Sequence, residues 1–286
     1  MLAPDLSLET LRTDFFATLH YPPETKAAIA QAVDAWKEFL ALPDNIKKRF
    51  GYLEDTGNSG SGYEFPSLAK KDYKHVFHTK LKDRAWLYDQ ARFVGRDEAK
   101  ILVATSLAAI EAVRPMVEEF CRRLEREFDV GSFREDFLAD VHESILRHLF
   151  YPPGARALGE EIAVPHADKG GFSLHNWESH GGVERLTTDG RWVPFPVAEG
   201  EAVVFGSLRL QHRTKNEVKG LYHRVVATER TIQYGRLATV FFANFRNSPY
   251  YDKKRLGSTQ EQPLGFNYNV SWEEFQTYFA SYDKYA

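Results

Sequence analysis

Over the first fifty residues, apolar side chains recur three and four apart, at Leu11, Phe15, Ile29, Val33, Trp36 and Leu40. That spacing gathers one apolar stripe on one helix face. Pro22, Pro23 and Pro43 cut the run into separate helices, because proline lacks an N–H and crowds the preceding turn. A longer helix is predicted from Asp97 to about Phe128, with Ile101, Leu107, Ile110, Val113, Val117 and Phe120 as its buried stripe and Pro115 as a point of bending. Its Glu and Arg residues fall at ion-pair spacing on the solvated side. Between these patterns, residues 51 to 70 hold four glycines and three serines, a loop by composition. From about residue 140 the period changes to two, with short apolar strands and turn signals up to about 248. The tail NVSWEEFQTYFASYDKY fits a closing helix with Ser271 and Glu274 as a capping box. The expected layout is one domain, 1–286: a helical region 1–135 with a loop at about 51–80, a β core 136–270 and a C-terminal helix 271–286.

Composition narrows the function classes. A chain of 286 residues that is 43 % hydrophobic buries a substantial core. A net charge of −3 and the lack of any basic cluster interleaved with aromatics argue against a nucleic-acid partner. The single cysteine, Cys121, rules out an internal disulfide and fits a reducing compartment. MLAPDLSLETLRTDFF lacks a basic start followed by an apolar run, and no stretch approaches a membrane span. The expectation is a cytoplasmic protein with no membrane partner.

Candidate chemistry sits in IAVPHADKGGFSLHNW. His166 and Asp168 lie two apart in a strand-like segment, so both side chains leave one face. His223, in LYHRVVATER, stands where an antiparallel strand returns it to that pair. Two imidazoles and one carboxylate on one side of a metal leave positions open for non-heme Fe(II) oxygen chemistry. Taken alone the pattern is weak, since ten histidines produce such triplets by chance.

The sequence around the ligands adds weight. Gly181-Gly182-Val183, Gly190-Arg191-Trp192, Val193-Pro194-Phe195-Pro196, Ala202-Val203-Val204-Phe205, Thr214-Lys215-Asn216 and His223-Arg224-Val225 follow in order. This series resembles the isopenicillin N synthase-like branch of the Fe(II)- and 2-oxoglutarate-dependent dioxygenases. The resemblance implies a mainly β fold with flanking helices, a double-stranded β-helix or jelly roll. It implies Fe(II) on His166, Asp168 and His223, with 2-oxoglutarate and O2 as co-substrates. Arg236, in YGRLATVFFANF, takes the place of the arginine that clamps the far carboxylate of the keto acid, a task suited to a guanidinium fork. Tyr151, in Leu146-Arg147-His148-Leu149-Phe150-Tyr151-Pro152-Pro153, matches a tyrosine that bonds the same co-substrate. Two positions depart from the pattern: Leu149 stands where relatives have asparagine, and Ala238 where they have serine.

For the substrate, a small-molecule metabolite, the candidates are Tyr63, Tyr73 and His75 in the segment that resembles the family's site mouth, together with His175 and Phe245. In FSLHNWES, period two puts Phe172, Leu174 and Asn176 on one face and Ser173, His175 and Trp177 on the other. A polar residue on a buried strand needs a partner, and for His175 a core partner and a substrate both remain open. The implied reaction is oxidative decarboxylation of 2-oxoglutarate to succinate and CO2, with hydroxylation of the substrate, or its desaturation or cyclisation. Two rivals stand beside it. One is an isopenicillin N synthase-like oxidase that does not use 2-oxoglutarate, favoured by Leu149 and Ala238 and opposed by Arg236. The other is a non-catalytic jelly-roll binding protein, opposed by the intact ligand triplet.

Overall fold

A computed structural model of the chain describes residues 8–55, 58–66, 74–128, 131–154, 156–195, 197–214 and 217–244. The helices are α1 Glu9–Thr13, α2 Pro23–Ala41, α3 Asp44–Lys47, α4 Arg84–Val94, α5 Asp97–Phe128, α6 Phe133–Asp140, α7 Leu208–Arg213 and α8 Glu229–Tyr234. The strands are β1 Phe16–His20, β2 Tyr52–Asp55, β3 Asn58–Glu64, β4 His75–Thr79, β5 Ile145–Tyr151 and β6 Glu161–His166. They continue with β7 Phe172–Glu178, β8 Val183–Leu186, β9 Trp192–Pro194, β10 Glu201–Gly206, β11 His223–Val226 and β12 Arg236–Ala243.

The strands form a major sheet in the order β1-β10-β7-β12-β5-β4-β3-β2 and a minor sheet in the order β6-β11-β8-β9. Side chains from both sheets share clusters: Val203 and Phe205 of the major sheet pack with Val183 and Val225 of the minor one. Ile162 of the minor sheet packs on Leu149, Tyr151, Ala238 and Val240. These clusters fill the interior of a jelly roll. On its outer side the major sheet carries Leu146, Leu174, Val204 and Phe241 against Ile110, Val113, Val117 and Phe120 of α5 and Ile29 and Val33 of α2. Polar groups in that outer layer pair with one another. His148 bonds Ser106 Oγ of α5 through Nε2 at 3.0 Å and Thr239 Oγ1 of β12 through Nδ1 at 2.9 Å.

Three expectations need correction. The N-terminal region is not wholly helical, because Phe16–His20 pairs antiparallel with β10 and caps one edge of the major sheet. The glycine-rich stretch is not a loop either: β2, β3 and β4 extend the other edge of that sheet. Its glycines serve close packing between strands, since a Cβ on Gly60 would lie 1.7 Å from the Leu53 carbonyl oxygen, and Gly62 has φ of +103°. Ile101 is 52 % exposed; the buried face of α5 runs instead through Leu102, Ser106, Ala109 and Val113. The helix is unbroken across Pro115. The expected C-terminal helix, 271–286, lies outside the described residues. Among the described residues no helix is long and apolar enough to cross a membrane.

Strict alternation also fails once in β7. Val240 of β12 stands opposite His175, but Thr239 stands opposite Trp177, so Asn176 is an extra residue in the ladder. Such a bulge turns the following side chains over. Trp177 joins the outer layer, where Lys37 of α2 lies 5.3 Å above its ring. Glu178, which period two alone would send outward with Phe172 and Leu174, faces the interior.

Candidate metal centre and co-substrate clamp

His166 ends β6 and His223 begins β11, and the two are opposite one another in the minor sheet. Their ring centroids are 4.4 Å apart. Asp168 follows two residues after His166, and one potential ligand atom from each of the three lies within 4.8 Å of the others. The backbone sets the tautomers. His166 Nδ1 is 2.8 Å from the Val164 carbonyl oxygen and His223 Nδ1 is 3.0 Å from that of Leu221. A carbonyl oxygen only accepts, so each Nδ1 carries the proton and each Nε2 presents its lone pair. Burial, then the neighbouring His223, lowers the His166 pKa to about 4 against the pull of Asp168, so the ring is neutral as a metal ligand requires. The ligand side chains are graded in exposure, 37 % for His166 and 13 % for Asp168, which leaves the trio reachable from one side.

The carboxylate is held from behind. Ser173 Oγ of β7, fully buried, donates to Asp168 Oδ2, while Oδ1 lies 3.7 Å from His166 Nε2. Arg147 of β5 faces the same interior. Its Nε donates to His78 Nε2 at 2.8 Å and its guanidinium lies 4.5 Å over the Phe242 ring; burial lowers its pKa, against the opposing pull of the Asp168 charge. Neither Ser173 nor Arg147 was singled out from the sequence. Arg147 stood inside a motif read for its tyrosine, and Ser173 shared a face with His175, which was the only signal for it.

Arg236 opens β12 opposite Tyr151 and is 1 % exposed. Its Cζ lies 6.0 Å over the Tyr151 ring. Two partners hold the guanidinium: Nε donates to the His180 carbonyl oxygen at 3.3 Å, and Nη2 donates to Glu178 Oε2. The other oxygen of Glu178 accepts the Val197 N–H at 3.3 Å. Glu178 was not legible in the sequence either, for the reason the bulge gives. Leu149 and Ala238, the two departures from the family pattern, are direct cross-strand partners. They form one apolar patch with Val76 and Val240 beside the arginine.

His175 is 5 % exposed and its Nε2, 3.7 Å from Glu178 Oε2, has no hydrogen-bond partner among the described residues. Burial, then the charges of Arg236 and His223, pushes its pKa well below the usual histidine value. Both Arg236 and His223 therefore bear on this one ring. Tyr63 and His75 are placed elsewhere. They bond each other at 2.5 Å and pack with Trp36, Phe65 and Phe150 on the helix side of the sheet, and the structure does not bring them to the ligand trio. Tyr73 and Phe245 lie outside the described residues. Thr239 points outward to His148, so it supplies no hydroxyl in place of the missing serine.

No protein-family model and no curated protein matches the chain. Solved structures do. A putative 2OG-Fe(II) oxygenase family protein from Caulobacter crescentus is 25 % identical, with a TM-score of 0.62 over 85 % of this chain and 81 % of that one. A putative oxygenase from Shewanella oneidensis is 24 % identical, with a TM-score of 0.67 over 84 % of this chain and 85 % of that one. A full-length Neurospora crassa protein, in complex with alpha-KG and thymine, is 19 % identical, with a TM-score of 0.68 over 83 % and 78 %. These neighbours share the jelly roll with its flanking helices. The chain thus shares its fold with 2OG-Fe(II) oxygenase structures, and within that fold two histidines and one aspartate come together as a group that could hold a metal ion.

Proposed function

We propose that the protein is an Fe(II)- and 2-oxoglutarate-dependent oxygenase that hydroxylates a small polar metabolite. The observation that carries this reading is the convergence of His166 Nε2, His223 Nε2 and an Asp168 oxygen, with both Nδ1 protons fixed by backbone carbonyls. The donor set of two nitrogens and one carboxylate oxygen fits Fe(II) with positions left open. Bound there, iron and keto acid supply the oxidising chemistry, with succinate and CO2 as by-products. The chain's own residues supply the geometry. Ser173 fixes the Asp168 carboxylate, Arg236 offers its remaining N–H groups to the far carboxylate of 2-oxoglutarate, and Tyr151 lines the same wall. Arg147, His78 and Phe242 supply a cationic and aromatic surface for the substrate. The thymine complex of the Neurospora crassa protein supports a compact polar ring as the substrate class. Desaturation and cyclisation use the same site.

A second reading, an oxidase that needs no keto acid, is favoured by one observation: Glu178 already occupies Nη2 of Arg236. Anaerobic Fe(II) titration with and without 2-oxoglutarate separates the two. Wild type is expected to give the visible metal-to-ligand charge-transfer band of a chelated keto acid, weakened in Arg236→Ala, and to release succinate once oxygen is admitted. Iron binding with no band at any keto acid concentration would leave the oxidase reading in its place.

A further inference from the structure

We propose that Glu178 is an internal competitor for the co-substrate clamp, so that it sets the affinity for 2-oxoglutarate and the preference among keto acids. The inference rests on the function proposed above. Arg236 and Glu178 form a buried ion pair, their side chains 1 % and 3 % exposed. Neither partner is loosely held. The arginine stem passes beside Gly182, where a Cβ would stand 3.6 Å from Cδ and Nε, and Nε is tied to the His180 carbonyl. The glutamate is tied to the Val197 N–H. The bulge at Asn176 is what brings its carboxylate inside.

A guanidinium has five N–H donors, and two of those on Arg236 are in use. A diacid can reach the rest, but its far carboxylate then enters a nearly water-free space beside a fixed carboxylate. Like charges at such range raise each other's cost. Two residues beside the arginine share none of the load, because Leu149 and Ala238 present only apolar atoms where an asparagine and a serine would bond the co-substrate. Docking therefore loosens Glu178 from Nη2. A 2-oxo acid with no far carboxylate meets no such obstacle.

The test is anaerobic calorimetry on the Fe(II)-loaded full chain, titrating 2-oxoglutarate and separately 2-oxobutyrate into wild type and Glu178→Gln. Glutamine keeps the length and an acceptor for Arg236 while removing the charge. The expected result is a gain of about tenfold in 2-oxoglutarate affinity, the scale of one charge-assisted hydrogen bond regained, with 2-oxobutyrate affinity unmoved. Equal or weaker binding of 2-oxoglutarate by the variant overturns the proposal and makes Glu178 a structural partner of Arg236. So does a gain that is equal for both acids, since that would come from a looser pocket. If metal binds but neither acid binds either protein, the co-substrate reading itself falls and the competitor role falls with it. Should Glu178→Gln fail to fold, Glu178→Asp draws the carboxylate back by one methylene, and the same selective gain, smaller in size, is expected.

Discussion

His148 and His175 stand on opposite faces of one sheet, against consecutive residues of one strand, Thr239 and Val240. Both are buried, and burial lowers both pKa values. On the helix side His148 has both ring nitrogens bonded, to Ser106 and Thr239. On the interior side His175 keeps Nε2 open beside Glu178. The ligand histidines follow the interior pattern, with Nδ1 closed by backbone and Nε2 turned to the site. Burial alone does not separate a structural histidine from a functional one. What separates them is whether the protein completes the ring's hydrogen bonds itself.

The sharpest way to break this comparison is to remove one group from each face. On the interior, Asp168→Ala is expected to lower Fe(II) affinity by more than about a hundredfold, beyond the range of a supporting residue, and to abolish turnover. Its circular dichroism should match wild type, because Asp168 lies outside the outer core. On the outer face, any substitution of His148 should leave metal affinity intact. Metal retained by Asp168→Ala, or lost on changing His148, would show that the two faces are not divided in this way.

The same division explains what the sequence made legible. The grouping of His166, Asp168 and His223 was readable because metal chemistry demands particular residue types, and two-residue spacing in a strand fixes a common side. The long α5 helix was readable because period 3.6 persisted over many turns, although Ile101 was assigned to the wrong side of it. Pairing was not readable. Phe16–His20 is a strand only because β10 lies beside it, and β3 tolerates its glycines only because Leu53 and Gly51 press against them. The bulge at Asn176 is a property of two strands together, so one strand's alternation put Glu178 on the wrong face. Tyr63 and His75 were read as site residues from their place in the mouth segment, whereas register turns them toward the helices.

A smaller effect, on stability, tests the outer face. His148→Leu leaves two buried hydroxyls without their partner, at about 1–3 kcal/mol each, so a loss of about 2–6 kcal/mol is expected in denaturant unfolding at pH 7.5. The gap should narrow in acid. Burial holds His148 at about 3 in the folded chain, against 6.5 for an ordinary histidine. Between those values the unfolded chain takes up a proton that the folded chain does not, so this group costs stability as pH falls below 6.5 and costs nothing above it. At pH 5 the cost is about 2 kcal/mol in wild type and absent in the leucine variant. A gap that stays constant between pH 7.5 and pH 5 would mean that His148 carries a proton in the folded state.

The smallest effect sharpens the interior side. Ser173 sits across from Phe205 and Phe242, a lone hydroxyl between aromatic neighbours. Its bond to Asp168 Oδ2 leaves the other oxygen for the metal. Ser173→Ala removes one oxygen atom and keeps the packing, so unfolding should move by no more than about 1 kcal/mol. Metal affinity is expected to fall about tenfold, the lower end of what the loss of a supporting hydrogen bond costs, and Ser173→Thr should restore most of it by returning the hydroxyl. The two readouts separate the roles. If alanine lowers stability and leaves iron affinity untouched, Ser173 is part of the fold alone. If affinity falls while stability holds, the hydroxyl acts through the carboxylate it orients, and the interior face depends on residues that never touch the metal.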